Sequence, residues 1–337
     1  MNQDFWIKDG KPALLLAPME GVTDGPMRSF FSETQAFTHL VTEFLRVNDS
    51  LYGDHVFRRH APESSNEFRT RYGTPVILQL LGGDAQRLAE NAEAGVKCGA
   101  RAIDLNFGCP APTVNRHDGG ATLLKYPDRL KNIVRTVRDA IPAHIPVSAK
   151  MRLGWDNIND VDRNFDALIE GGVSSVTIHG RTKIQGYKPP AYWEPIGRIR
   201  ARSPIPIIAN GEIWTFEDFL RCQDQTGCTH YMLGRGALAD PGLPVRVARA
   251  LGIESVASVP KAQLFEDTYN SLDASAWVPL IEKFSRESAK IFPSEDYTVR
   301  RVKQWINLSR FGRKFPWFDQ IKTELSVECI LNRMVAM

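Results

Sequence analysis

The sequence contains no run of about 18 apolar residues, the length a membrane-crossing helix needs, so no membrane span and no membrane partner are expected. Met1 to Lys11 carries Asp4, Lys8 and Asp9 where a secretory leader would need an apolar core. Cysteine is scarce. The five in 337 residues (Cys98, Cys109, Cys222, Cys228 and Cys329) are too few, and odd in number, for a disulfide framework. These absences predict a protein of the reducing cytoplasm. Cys222 and Cys228, with His230 after them, lack the tight CxxC spacing of a zinc site and read as core residues, so no metal is expected. Neither sign of charge dominates: 42 Lys and Arg against 39 Asp and Glu leave a formal +3, which alone decides nothing about nucleic acid.

Core material, by contrast, is ample. Hydrophobic residues make up 43% and charged residues 24%, ordinary values for a globular chain, and the length favours one large domain with a smaller one. Eight short, continuously apolar runs recur: Ala13–Leu16, His39–Thr42, Val76–Leu80, Ala102–Leu105, Val147–Met151, Ser175–Ile178, Pro206–Ala209 and Tyr231–Leu233. Continuous rather than alternating apolarity marks strands covered on both faces. Between most of the runs lie amphipathic helical stretches, such as Ala85 to Cys98 with Leu88, Ala92, Gly95 and Val96 on one face. Eight such units predict an α/β fold, a (β/α)8 TIM barrel, over an open doubly wound sheet.

A barrel should carry its chemistry at the C-terminal ends of its strands. The run ends read Ala17-Pro18-Met19-Glu20, Glu43, Gln79, Asn106 with Cys109, Lys150 with Arg152, His179 with Arg181, Asn210-Gly211-Glu212 and Gly234-Arg235-Gly236. Packing alone would favour apolar residues there. Cys109, after Gly108 and before Pro110, is placed past a strand end to point into a cavity, although a buried structural thiol is the commoner fate of a cysteine. The glycine-rich ends after the seventh and eighth runs match the place where barrels bind phosphate through backbone N–H groups. Lys150, inside an apolar run, asks for an electron-rich partner above it.

Together these motifs resemble the tRNA dihydrouridine synthases. The strings that carry the resemblance are APMEGVTD (Ala17 to Asp24), LQLLG (Leu78 to Gly82), DLNFGCP (Asp104 to Pro110), GGATLLKYP (Gly119 to Pro127), AKMRLGW (Ala149 to Trp155), HGRT (His179 to Thr182), ANGEIW (Ala209 to Trp214) and LGRGAL (Leu233 to Leu238). They run in order from residue 13 to about residue 245. The strings AHIPVSAKMRLGW, TEFLRV, HGRTKIQGY, NGEIW and VKQW look most like the bacterial class that acts on uridine 16. The resemblance implies reduction of the C5=C6 bond of a D-loop uridine, with FMN as cofactor and NADPH as electron donor. It implies that Pro18, Met19 and Glu20 line the flavin, Gln79 and Lys150 bond its pyrimidine edge, and Asn210, Gly211, Glu212, Gly234 and Arg235 hold its phosphate. His179 then lies between flavin and base, Cys109 is the proton donor, Asn106 bonds the base, and Arg152 and Arg181 meet its carbonyls or phosphate.

The family also appends a helical domain to its barrel, which fits the loss of the strand–helix rhythm past Leu251. The expected division is a catalytic barrel over 1–250, a linker over 251–261 and a helical tRNA-binding domain over 262–337. Trp277, Ile281, Phe284, Ser288 and Ile291 fall on one helical face. Arg300, Arg301, Lys303, Arg310, Arg313 and Lys314 form a basic run without an acid, with Trp305 and Phe311 among them, which is expected to dock RNA backbone. Arg46, Arg58, Arg59, Arg69 and Arg71, in the long connection after the second run, are further candidates for tRNA contact. A monomer is expected. The rival readings are a small-molecule FMN oxidoreductase of the dihydroorotate dehydrogenase type, a Schiff-base aldolase with Lys150 as nucleophile, and a non-catalytic RNA chaperone.

Overall fold

A computed structural model describes residues 3–116, 118–257, 262–266, 273–309, 315 and 317–337. Nine parallel strands form one sheet: β1 (Ala13–Leu16), β2 (His39–Val41), β3 (Leu45–Arg46), β4 (Val76–Leu81), β5 (Ile103–Phe107), β6 (Val147–Arg152), β7 (Ser175–His179), β8 (Ile207–Asn210) and β9 (His230–Leu233). The order β2-β1-β9-β8-β7-β6-β5-β4-β3, closed by a β2–β4 pairing, makes a barrel. β2 and β3 both pair with β4, at Val76–Ile77 and at Leu80–Leu81, so they are one stave interrupted at residues 42–44. The staves therefore number eight, as expected. The interruption has a local cause: the Thr42 hydroxyl takes the Gln79 N–H at 3.0 Å, a donor that a continuous ladder would have used.

Every strand except β3 and β6 is buried along its whole length, which is why each reads as a continuous apolar run. In β6 the half-buried positions are Ser148 and Lys150, and they alternate with buried neighbours. The helix Ala85–Lys97 begins with Asp84 accepting from Arg87 N and packs Leu88, Ala89 and Ala92 inward. Gly95 lets it approach β4, because a Cβ there would stand 2.6 Å from Leu78 Cδ2.

The helices Ala274–Ile291 and Glu295–Ser309 pack on the first barrel helix, Gly25–Ser32. An aromatic cluster joins them. Phe30 meets Trp305 at 5.1 Å and Phe284 at 6.0 Å between ring centroids, and Trp277 meets Trp305 at 5.7 Å. Trp277, Ile281, Phe284 and Ser288 are buried together, and Trp305 donates to Leu238 O at 3.1 Å. Among the described residues no helix is long and apolar enough to cross a membrane. In the stretch expected to be a linker, Glu254–Ala257 is a helical turn and residues 258–261 lie outside the described set.

The basic run needs correction. Arg301 is only 7% exposed and is not a free cation. Its Nε donates to Asp24 Oδ2 at 2.7 Å, and its other nitrogens donate to the Gly21 and Val22 carbonyls and to Gln304. Lys303 is half-buried and donates to Glu324 O. Arg300 is exposed, with Nε on Asp296 O at 3.3 Å. Arg310, Phe311, Arg313 and Lys314 lie outside the described residues.

Breaking a buried pair by removing one partner typically costs about 3–5 kcal/mol, since the other charge stays buried. Arg301→Ala should therefore lower the free energy of urea unfolding by an amount in that range, with Arg300→Ala unchanged as the control. Equal stabilities for the two variants would refute the clamp.

Candidate active site

A cavity of about 760 Å³ opens at the C-terminal end of the barrel, within the range of pockets that take a cofactor. Its floor rests on a chain of hydrogen bonds that starts from a buried acid. Asp104, on β5, accepts from Ser148 Oγ and from Gln79 Nε2, each at 2.6 Å. Gln79 Oε1 accepts from Asn106 Nδ2 at 2.8 Å, and Asn106 Oδ1 accepts from the backbone N–H groups of Gly108 at 2.9 Å and Cys109 at 3.0 Å. Burial pushes the Asp104 carboxyl above its ordinary value, against the pull of these bonds and of Lys150. The loop is tied a second time where Arg152 Nε donates to Gly108 O at 2.8 Å.

On this floor sits Cys109, half-buried, with its thiol pushed up by burial and by the Glu20 carboxylate, while Arg152 and Lys150 pull the other way. It is protonated at neutral pH. Lys150 is pushed down to about 8, first by burial and then by Arg152, with Asp104 holding it up. His179 titrates well below its ordinary value because it is buried among Arg152, Lys150, Arg181 and Arg235, so it is neutral at pH 7. Among the described residues its buried Nδ1 has no hydrogen-bond partner.

The opposite wall is built on Glu212. This carboxylate accepts from the buried Arg181 and from Trp214 Nε1 at 3.0 Å, and stands 3.6 Å from Arg235 Nη2. The chain turns here through positive φ at Gly211 (109°) and Glu212 (59°). Gly236 is needed for close packing, since a Cβ would come 2.1 Å from Ile213 O. Arg235 is sandwiched by aromatic rings, 4.7 Å from the Tyr187 centroid and 4.9 Å from that of Trp214. Asn210 ties β8 to β9 by donating to Met232 O at 2.8 Å. Among the described residues no group of His, Cys, Asp and Glu is placed to hold a metal ion.

Comparison with known proteins bears on this arrangement. A model of the dihydrouridine synthase family matches residues 15–284. The chain belongs to the dihydrouridine synthase family. It is 47% identical over 295 residues to the tRNA-dihydrouridine(16) synthase of Pseudomonas syringae pv. tomato, covering 88% of this chain and 89% of that one. It is 42% identical over 314 residues to the enzyme of the same name from Shewanella oneidensis, covering 93% of each chain. A third, from Pseudomonas putida, is 42% identical over 304 residues, covering 90% of this chain and 89% of its own. As a member of the family the chain is a flavin-dependent oxidoreductase that modifies tRNA, which displaces the aldolase and chaperone readings.

The cavity of this dihydrouridine synthase gathers most residues singled out in the sequence. Pro18, Met19 and Glu20 line one side, Asn106, Cys109, Lys150 and Arg152 the floor, and His179, Asn210, Gly211, Glu212, Gly234 and Arg235 the far wall. Five expectations are revised. Gln79 is fully buried below the floor, both ends of its amide engaged, so it does not line the cavity. Asn106 lines it, but its carbonyl oxygen is spent on the Cys109 loop rather than turned to a base. Arg152 lines it with Nε on the carbonyl of Gly108 and Nη1 on those of Thr182 and Gly186. Arg181 is wholly buried behind the wall on Glu212 and Pro190 O, and Glu212 is an anchor for arginines, not a phosphate ligand through its side chain. Arg46, expected at the tRNA and not in the cavity, is unaffected by these revisions; it donates to Thr113 O at 3.1 Å.

Residues that were not singled out also line the cavity: Phe44, Tyr187, Trp214 and Leu308. Tyr187 and Trp214 stood inside the strings HGRTKIQGY and NGEIW. Leu308 carried no signal, because only the packing of the helix Glu295–Ser309 on the barrel brings it there.

The depressed Lys150 pKa makes stability depend on pH. Below about pH 8 the folded chain bears the cost of a charge partly withdrawn from water, and above the ordinary value of 10.5 the lysine is neutral in both states. Between the two the unfolded chain binds a proton that the folded chain does not, so stability rises with pH across that window. Flavin-free Lys150→Met should be the more stable form below about pH 8, with the advantage shrinking towards pH 10.5. Urea unfolding of both forms across this range checks it; a constant difference would be the contrary result.

Proposed function

We propose that the chain reduces the C5=C6 bond of a tRNA uridine to dihydrouridine at position 16 of the D-loop, acting as a monomer in the cytoplasm with FMN and NADPH. The observation that carries the reading is a protonated, half-buried thiol at Cys109 on the floor of a cavity whose far wall is cationic. The residues present fit a flavin with a phosphate tail. Among the described residues, the buried His179 Nδ1 has no hydrogen-bond partner, and the turn at Gly211 and Glu212 runs through positive φ. Pro18 and Met19 would lie along the ring system, Lys150 at its pyrimidine edge, and Gly211, Gly234 and Arg235 at the phosphate. Gln79 would act from beneath, by fixing Asn106 and Asp104.

A bound flavin would supply the reducing equivalents for C6 of the uracil, drawn from NADPH. The protein's own task is the proton. As negative charge develops on the uracil, the Cys109 Sγ–H delivers a proton to C5, and solvent restores it to the thiolate. A carboxylic acid of ordinary pKa would be ionised at neutral pH and unable to donate; a thiol raised by burial stays loaded. Asn106 and Arg152 hold the loop that aims the thiol, through Cys109 N, Gly108 N and Gly108 O. Lys150, with a pKa of about 8, keeps most of its charge at pH 7 and stabilises negative charge above it. The uridine can enter only by leaving the tRNA stack, so the mouth must hold a flipped nucleotide. The choice of position 16 rests on the names of the relatives.

Cys109→Ala should keep bound flavin and tRNA affinity while losing about 10²- to 10⁴-fold in uridine reduction, the usual share of a general acid. Dihydrouridine should be missing at position 16 in tRNA from cells lacking the gene, and restored by the parent chain but not by the variant. Restoration by Cys109→Ala would remove the acid; dihydrouridine persisting at 16 in the deletion strain would remove the assignment.

A further inference from the structure

The barrel wall that carries Arg152 continues past the end of the sheet. Leu153 N donates to Arg181 O at 3.1 Å, Lys183 N to Gly154 O at 3.0 Å and Ile184 N to Trp155 O at 2.9 Å, so the loops after β6 and β7 stay zipped together. Trp155 sits on this extension, half-buried, with the Lys183 ammonium 4.3 Å from its ring centroid. A second ammonium, that of Lys125, lies 3.9 Å from the same centroid. Lys125 ends the 3-10 turn Gly120–Lys125, which starts against the catalytic loop where Ala121 N donates to Cys109 O at 3.1 Å. One indole thus gathers two cations, from the loops that follow β5 and β7 at the end of the barrel where the cavity opens.

Two like charges held on one ring repel each other, and exposed lysines ordinarily relax towards carboxylates or bulk water. Among the described residues, neither ammonium pairs with a carboxylate. Asp128, three residues after Lys125, and Asp156, beside Trp155, are exposed and bridge to neither. Both ammoniums therefore keep donors for an external anion. Around them the rim presents Tyr126, Ile184 and Tyr187, 47%, 61% and 55% exposed. Fixed cations beside exposed aromatic and apolar side chains suit a nucleic-acid strand with unstacked bases, where phosphates meet the charges and bases meet the rings. Meanwhile Arg301 and Lys303, expected to dock the substrate, are engaged within the protein.

We propose that Lys125 and Lys183, steadied by Trp155, grip backbone phosphates of the tRNA strand adjoining the nucleotide that enters the cavity. This rests on the tRNA reading above. The test is the salt dependence of binding of an unmodified tRNA transcript to the flavin-loaded protein, comparing the parent chain with K125Q/K183Q and K125R/K183R. Each phosphate that a neutral side chain leaves ungripped should flatten the slope of log affinity against log salt by about 0.7 to 0.9, so the glutamine pair should flatten it by about 1.4 to 1.8. The arginine pair should retain the parent slope, and the melting temperature and bound flavin of both should match the parent. A parent slope in K125Q/K183Q overturns the proposal and leaves the tRNA reading standing. So does a rise confined to KM for NADPH, which would assign the lysines to the nucleotide reductant. A parent chain that neither binds the transcript nor forms dihydrouridine overturns both. Trp155→Leu should weaken binding while keeping the slope, since it frees the two cations without removing them; full parent affinity in that variant would deny the indole its part.

Discussion

A carboxyl group shut inside the barrel governs how the site is arranged. Asp104 is buried under the floor, and burial of an acid is tolerable only if each oxygen is hydrogen-bonded. Ser148 satisfies one oxygen and Gln79 the other. Once Gln79 is turned to Asp104, its own oxygen points to Asn106, and once Asn106 donates to Gln79, its oxygen is left to gather the two N–H groups of the Cys109 loop. The thiol is thus placed by a sequence of polar obligations running through β4, β5 and β6, not by packing of its own side chain.

Where the floor meets the far wall, a different logic holds, of charge. Lys150, Arg152, Arg181 and Arg235 converge on one region, and each is felt by His179, which is kept neutral. Glu212 compensates two of them. The excess is positive and sits where dielectric screening is weak, a setting in which an anionic cofactor gains more than it would at an open surface. The same excess keeps an acid from serving as proton donor, since a carboxyl here would be driven to ionise, whereas a thiol shielded by burial holds its proton.

The barrel was legible because strands covered on both faces leave continuous apolar runs, a signal set by burial that even the half-buried positions of β6 do not erase. The break in the second stave was not, because the Thr42 hydroxyl replaces a ladder acceptor only once β4 lies beside it. Cavity-lining positions at strand ends were legible for the same reason as the strands: polar residues following apolar ones. What each polar group bonds was not, since an amide such as that of Gln79 looks identical in sequence whether it faces a ligand or a buried acid. The basic run of the C-terminal helix misled in the same way. Arg300 and Arg301 are adjacent and chemically equal, and only the helix's rotation against the first barrel loop leaves one in solvent and buries the other. Leu308 entered the cavity without any trace in composition or spacing.

The bond between Arg301 and Asp24 spans 277 positions of chain. Asp24 also caps the helix Gly25–Ser32, accepting from Met27 N, and the loop just before it, from Pro18 to Val22, forms one side of the cavity. During synthesis the first strand and this loop leave the ribosome early, and the arginine that fastens the loop arrives near the end. At about 5–20 residues per second that interval lasts on the order of 14 to 55 seconds. Through it the carbonyls of Gly21 and Val22 have only water for the partners that Arg301 later supplies. The cavity is therefore among the last features of the molecule to mature, and a nascent barrel stopped short of residue 301 would hold every strand yet lack a fixed wall for its cofactor.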